Sequence, residues 1–475
     1  MKFSHKTTFV SSISWLPVGI AIVILTGCAS VGPNYSPPKA SVSTDWHTQL
    51  KGGLTAQEMN QQTLSAWWTT LNDPVLSRLI DRAVSGNLDL KKAEARIREA
   101  RARRGIATDA RFPTLDASGS VVRTRSSEET GTGKTSNLYA VGIDAGWELD
   151  IFGGVRRSVE AVEADLGASQ EGLRDVLVSL LAEVALNYIE VRTYQARLTV
   201  AEANLAAQNE TYQLTDELAV EQARYNLENT RSQIPTLRTG SEQGMNRIAV
   251  LLGEQPGTVH TDLERYIPIP VIPLKVAVGV PADVLRRRPD VRRAERELAA
   301  QTARIGVATA DLYPKFKLSG SIGLEAFSSG NLVSSDSRTL SGGPSVTWRI
   351  FDAGAIRQNI EVQSALQEQY LIAYEAALLS ALKEVENAIV AYAEEQNRRQ
   401  SLIETTRAAQ RAGDLAQHKY QAGLADFNNV LDAQRSLLSF QDQLAQSDGT
   451  VTSNLVRLYK ALGGGWTSLA QNEKK

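Results

Sequence analysis

The chain contains one long stretch twice. Aligning Pro113 with Pro314 gives an offset of 314 − 113 = 201, and that offset pairs Asp89 with Asp290, Gly105 with Gly306, Thr108 with Thr309, Phe112 with Tyr313 and Gly119 with Gly320. It still holds for Trp147 with Trp348, Arg156 with Arg357, Glu160 with Glu361 and Glu183 with Glu384. A repeat this long is a duplicated half, not the unit of about 20–50 residues that builds a solenoid. Any fold proposed for one half must therefore be accounted for in the other.

Each copy reads as a helix, then a proline, then a segment of period two. Proline cannot continue a helix and pushes its predecessor toward extended geometry. After Pro314, Phe316, Leu318, Ile322 and Leu324 alternate with Lys317, Ser319, Ser321 and Glu325; after Pro113 the alternation is weaker but in phase. The partner segments are cleaner. Tyr139, Val141, Ile143, Ala145, Trp147 and Leu149 alternate with Gly142, Asp144, Gly146 and Glu148, and Val346, Trp348 and Ile350 alternate with Thr347 and Arg349. The spacing predicts two β-hairpins, over 114–149 and 315–350. Strands of roughly ten residues with a single apolar face match the transmembrane β-strand pattern. Val141, Ile143, Trp147, Leu318, Ile322 and Trp348 are the candidate lipid-facing side chains.

After Gly153 and Gly354 the period becomes helical. Leu173, Val176, Leu177, Leu180, Leu181, Val184, Tyr188 and Val191 form one stripe; Tyr370, Tyr374, Ala377, Leu378, Ala381, Val385, Ala388, Ile389 and Tyr392 form the other. No proline interrupts Val155 to Leu214 or Ala355 to Leu415. Roughly sixty residues of helix extend about 90 Å, a length suited to a coiled-coil tube and not to a globular core. Alanines such as Ala201, Ala203, Ala206 and Ala207 allow close helix approach, and the run Arg96, Arg98, Arg101, Arg103, Arg104 reads as a solvated face. Later landmarks (Ala223 with Ala433, Leu252 with Leu462, Gly253 with Gly463) lie 433 − 223 = 210 apart, so the first half lacks nine residues, the counterpart of Leu415 to Gly423. The expected organisation is a signal (1–27), a tether and belt segment (28–74), a first repeat (75–253), a proline-rich connector (254–283), a second repeat (284–463) and a tail (464–475).

The first residues, with Lys2, His5 and Lys6 before an apolar run from Pro17 to Leu25, read as a secretory signal, too short to span a bilayer. Its end, Leu25-Thr26-Gly27-Cys28, resembles a bacterial lipoprotein signal, which makes Cys28 the candidate acylated residue. Cys28 is also the only cysteine, so no intrachain disulfide can hold the exported fold. VGPNYSPPKA, from Val31 to Ala40, reads as an extended tether. Removing the signal takes two lysines and no acid from 51 basic and 53 acidic side chains, which leaves no nucleic-acid footprint. Beyond it no apolar run is long enough for a spanning helix, so closed strands are the remaining way to cross a membrane.

Two enzymatic readings fail on spacing. Gly131, Gly133, Lys134 and Thr135 mimic the end of a phosphate-binding loop, but Glu128 stands where its first glycine belongs, and a strand follows instead of a helix. Four histidines, with His5 in the signal and the rest far apart, give no local metal-ligand or Ser-His-Asp spacing. No cofactor is implied.

The Cys28-VGPNY start, the paired helix-proline-strand units, VPADVLRRRPDVRRAERELAAQTARIGVATADLYP, the W-R-I-F-D-A-G strand end and KYQAGL with VLDAQRSLL resemble the TolC-like outer-membrane factors of tripartite efflux pumps, in their NodT-type lipoprotein branch. The resemblance covers nearly all of the mature chain. It implies a mostly α fold with a membrane β-barrel: an internally duplicated protomer giving four strands to a barrel shared by a homotrimer and its long helices to a periplasmic α-barrel. Four strands are in any case too few to close a barrel, which takes about eight, and open edges call for further chains. The resemblance also implies a passive duct in the outer membrane of a Gram-negative bacterium, loaded by an inner-membrane RND-type transporter through a periplasmic adaptor. Tyr420, Gly423 and Leu424 match the adaptor-docking tip. Asp432 matches one acid of a constricting ring, and Asn429 stands where the second acid falls. Asn34 replaces a more usual Asp. Export of proteins, and a lipid-tethered coiled coil that conducts nothing, stay open as alternatives.

Overall fold

The structure is a computed structural model that describes residues 30–38, 43–57, 60–212, 217–270 and 275–466; Cys28 lies outside them. In chain order the main elements are α1 (Pro74–Gly86), α2 (Leu88–Asp109), β1 (Thr114–Arg125), β2 (Thr135–Leu149), α3 (Gly154–Tyr212), α4 (Glu217–Leu251), α5 (Pro281–Arg287), α6 (Pro289–Ala310), β3 (Lys315–Ala326), β4 (Arg338–Thr347), α7 (Ala355–Gln421) and α8 (Phe427–Ala461). The duplication is visible in these bounds. α3 and α7 start 201 residues apart and run for 59 and 67 residues, whereas α4 and α8 are both 35 residues long and start 210 apart. The chain divides into two compact units, taken in turn.

The first unit (residues up to Pro37, 99–167 and 296–372) is built on one antiparallel sheet of order β1-β2-β3-β4. Its register has no bulge: Ala117 lies opposite Ile143, Ile143 opposite Ile322, and Ile322 opposite Leu340. Because side chains alternate across a strand, one unbroken register puts every residue of that parity on one face. Leu115, Val121, Tyr139, Val141, Trp147, Leu318, Leu324 and Val346 share it; Asp116, Ser118, Asp144, Glu148, Lys317, Ser319, Ser321 and Ser345 share the other. Among the described residues the outer edges of β1 and β4 pair with nothing. The loop resembling a phosphate site is a hairpin connection, closed by Ser126 N–H donating to Lys134 O (3.3 Å).

The second hairpin departs from expectation at its end. β4 stops at Thr347, so Trp348 and Ile350 lie past the strand and not inside it. Thr347 faces Lys315, the first residue of β3, and Pro314 before it has no amide to extend the ladder. Trp348 is nonetheless fixed: its indole donates to Leu312 O (3.0 Å), while Trp147, 201 residues earlier, donates to Arg111 O (2.9 Å). Donor and acceptor are both duplicated at the one offset.

The expected tether is extended but seated. Val31 N–H donates to Phe152 O (3.1 Å), and the buried Arg157 guanidinium donates to Val31 O (3.0 Å), Gly32 O (3.2 Å) and Asn34 Oδ1 (2.7 Å). A side chain on Gly32 would lie 2.5 Å from the Gly306 Cα, so the glycine of VGPNY is a close-packing requirement. Asn34 needs only its amide oxygen for this bond, an acceptor that a carboxylate would supply equally.

The second unit (38–98, 168–295 and 373–475) holds the main apolar core. Asp73 caps α1, its Oδ1 accepting from Val75 N–H (2.9 Å) and Leu76 N–H (3.1 Å) with Pro74 at the first turn, as such a cap requires. The helical spacing then buries Leu76, Leu79, Ile80 and Ala83 against Leu177, Leu181, Val184 and Tyr188 of α3. The fully buried Tyr188 hydroxyl donates to Asp73 Oδ2 (2.5 Å); burial and that bond push its pKa far up. The start of each repeat is tied to its last helix. Asn87 Nδ2 donates to Leu251 O (2.8 Å), and its counterpart Arg288 donates to Ala461 O (2.9 Å). Arg288 also holds Asp290 and Glu384, each at 2.7 Å. Burial alone would raise the Asp290 pKa; the Arg288 hydrogen bond and charge more than reverse it and hold the carboxyl below its ordinary value.

Candidate functional site

The end of the second helical hairpin is built by its turn. α7 closes with Gly423 N–H donating to Tyr420 O (2.9 Å) and Leu424 N–H to Lys419 O (2.8 Å), with Gly423 at φ +72°. A left-handed residue with this bond pair is the helix-ending arrangement that glycine takes without strain; Gly253 and Gly463 end α4 and α8 in the same way. The turn leaves Leu424 78% exposed. Tyr420 is half-buried, its ring 5.2 Å from that of Phe427, and Phe427, Val430, Leu431 and Ala223 form a small apolar cluster beneath it. Of the three expected docking residues, then, Leu424 is presented, Gly423 shapes the turn, and Tyr420 joins the turn to α8 and α4. The corresponding turn of the first half, 213–216, lies outside the described residues.

Just past the turn, Asn429 and Asp432 stand three residues apart on α8, both exposed, so they share one helix face. Arg435, one further turn along, is the residue that sequence reading missed. Its guanidinium lies 3.6 Å from the Asp432 carboxylate, an exposed pair of the kind that contributes at most about 1 kcal/mol. Its other contacts cross to α4: it donates to the Tyr225 hydroxyl and to Asn226 Oδ1 (3.2 Å), and its centre lies 5.6 Å from the Tyr225 ring. Arg435 thus links the acid-bearing face of α8 to α4. Tyr225 and Arg435 are counterparts at the offset of 210, but equivalence in a repeat does not indicate contact, and nothing local to Arg435 points to Tyr225.

The sheet supplies the other candidate surface. Five of the six expected lipid-facing residues, Val141, Ile143, Trp147, Leu318 and Ile322, lie within strands on the one apolar face, and Trp348 follows it directly. All six are exposed in the single chain, from 38% for Trp147 to 62% for Ile322. Among the described residues no helix is long and apolar enough to cross a membrane. A face this apolar and this uncovered needs lipid or protein against it.

Comparison with known proteins agrees with this geometry. The sequence profile for outer membrane efflux proteins matches residues 79–254 and 280–464, one match for each half of the duplication. The solvent efflux pump outer membrane protein SrpC of Pseudomonas putida is 34% identical over 470 residues, 95% of this chain and 98% of the relative. Nodulation protein T of Rhizobium leguminosarum bv. trifolii is 32% identical over 483 residues, 99% of both chains. Among solved structures, the outer-membrane channel OprN superposes with a TM-score of 0.87 at 36% identity, covering 92% of this chain and 100% of the other. The duplicated helices, the one-faced sheet and these matches together place the chain in the outer membrane efflux protein family.

Proposed function

We propose that this chain is the passive exit duct of a tripartite efflux pump, acting as a homotrimer that carries toxic small molecules across the periplasm and the outer membrane. The observation that carries the proposal is a four-stranded sheet with two free edges and one apolar face. A two-copy ring would have eight strands, about the number whose interior side chains fill. Three copies would have twelve, which leaves an open lumen. Asp116, Asp144, Glu148 and Lys317 would then line water, while Val141, Ile143, Trp147, Leu318, Ile322 and Trp348 meet lipid, and Cys28 adds an acyl anchor at the membrane. At the turn between α7 and α8, Tyr420, Gly423 and Leu424 would receive the periplasmic adaptor of an inner-membrane RND-type transporter. Asp432, with the uncharged Asn429 beside it, would narrow the closed end. SrpC is named for solvent efflux, which supports small apolar cargo here.

The test is the mass of the lipidated protein extracted from outer membrane in mild detergent. A trimer is expected; a stable monomer would leave the strand edges open and return the chain to a tethered scaffold. The faces are checked separately. Ile322→Arg should cost about 2 to 4 kcal/mol if Ile322 sits near the bilayer midplane, read as a drop in the unfolding midpoint of the detergent-solubilised barrel. Unchanged stability and assembly would mean that the apolar face is turned inward.

A further inference from the structure

We propose that the duct binds a phosphate-bearing glycolipid of the outer leaflet at each junction between copies, through Arg338 of one copy and Arg123 and Arg125 of the next. The inference rests on the duct reading and extends it to a ligand. Within the four strands the apolar face carries three charged side chains, Arg123, Arg125 and Arg338; Asp116, Asp144, Glu148, Lys315, Lys317 and Glu325 all have the opposite parity. All three arginines lie at the hairpin-loop end, beyond the last apolar positions Val121, Tyr139 and Leu340 or level with Leu324. This is the strand end away from the helix-strand prolines, so in a barrel fed from the periplasm it faces outward.

The duplication predicts how copies meet. The internal junction pairs Tyr139 with Ala326 and Val141 with Leu324. Moving each strand to its counterpart 201 residues away gives Leu340 opposite Arg125, and Gly342 opposite Arg123, of a neighbouring copy. Parity is preserved: outward residues meet outward residues. Arg338 then stands one pleat beyond Arg125 of that copy, and three guanidinium groups from two chains gather at the seam. Their counterparts at the internal junction are Asn137, Leu324 and Ala326, which carry no charge, so the cluster belongs only to the junction between chains.

The chemistry selects the occupant. Arginine's planar fork matches phosphate oxygens in pairs, and cations at a bilayer rim attract anionic headgroups. The nearby acids do not neutralise the cluster: Glu128 pairs with Arg125 at 3.4 Å with both side chains at least 70% exposed, and Glu129 and Asp336 lie in the loops. An apolar trough of about 680 Å³ runs from Arg338 across the chain's own sheet, lined by Val141, Ile143, Ile322, Leu324 and Leu340; it meets the seam at its Arg338 edge, where acyl chains of a seam-bound headgroup could enter it. Three arginines followed by bare apolar surface fit a phosphorylated glycolipid better than a protein.

The experiment uses the full lipidated protein, washed in non-ionic detergent and offered either bisphosphorylated lipid A or the same glycolipid stripped of phosphate, with bound lipid counted by native mass spectrometry. The phosphorylated form should be retained at least tenfold more strongly. The double variant Arg123→Gln/Arg338→Gln should lose that preference while its oligomeric mass stays unchanged. Equal retention of the two lipids by the native trimer, or an undiminished preference in the double variant, would overturn the proposal and leave the duct reading standing. Full competition by inorganic phosphate would reduce the site to a simple anion site and overturn the glycolipid. A monomeric native protein would remove the seam, and the duct reading with it.

Discussion

Arg435→Ala is expected to raise single-channel conductance in planar bilayers several-fold. Arg435 joins α8 to α4 through Tyr225 and Asn226 and pairs with the Asp432 carboxylate on its own helix. Under the proposed duct reading, cutting those links loosens the face of α8 that would narrow the aperture, and conductance through a narrow aperture follows its cross-section. Asp432→Ala tests a separate part of the same device. It removes a carboxylate whose ring would attract cations, so block by multivalent cations should weaken even where the aperture barely changes. Native conductance in the first variant together with native cation block in the second would take this end of α8 out of the gate. Asn429→Asp completes the series: restoring a second acid should strengthen cation block beyond the native level.

The second large effect is structural. Trp67→Ala should lower the stability of the helical unit by about 3–5 kcal/mol, the range for emptying a buried tryptophan site. Trp67 is 1% exposed, stacks on Tyr459 of α8 at 5.4 Å and meets Trp68 edge-on at 6.0 Å. It also closes the far end of the chain, since a Cβ on Gly464 would lie 3.1 Å from its ring and one on Gly465 would lie 2.5 Å from Leu181 beside it. A short segment before α1 is therefore stapled to the last helix and to the glycines that follow it. Near-UV circular dichroism on heating in detergent would report the loss; an unfolding midpoint equal to native would show that this contact is dispensable.

What the sequence makes legible is whatever repeats along the chain. Period two fixes the strands and their faces, and the unbroken register then follows; period 3.6 selects the buried stripe from Leu177 to Val191. Asp73-Pro74 reads as a helix start because cap and proline act within one turn. What stays hidden depends on how distant helices are rotated against one another. Nothing near Arg157 in the sequence indicates that it grips Val31, Gly32 and Asn34, and nothing near Arg435 indicates Tyr225. Both are arginines in polar helix text, where a solvated face is the ordinary expectation. The strand end at Thr347 was hidden for a related reason: the alternation continues through Trp348 and Ile350, but a ladder needs a partner, and Pro314 ends it. The segment from Val31 looked like a tether because proline-rich text has no periodicity, and its seat is supplied by residues more than a hundred positions away.

The two halves differ in length at one place within the repeats, at the turn end of the long helix: α3 stops eight residues short of its counterpart α7, 59 against 67, and the connection to the next helix is one residue shorter; physics restricts such a change to that kind of place. One residue added to a strand turns every later side chain to the opposite face, exchanging lipid for water. One residue added inside a long helix rotates all that follows by about 100° and pulls the buried stripe off its neighbours. Residues lost from the last turns of a helix, where the chain is about to reverse, transmit neither error. After an ancestral duplication, the walls of such a duct could change only by substitution, while its tips remained free to shorten, lengthen and diverge. The nine residues present in one half and absent from the other are what that freedom leaves behind, and lineages of this family should differ in tip length long before they differ in the spacing of Pro113 from Gly153 or of Pro314 from Gly354.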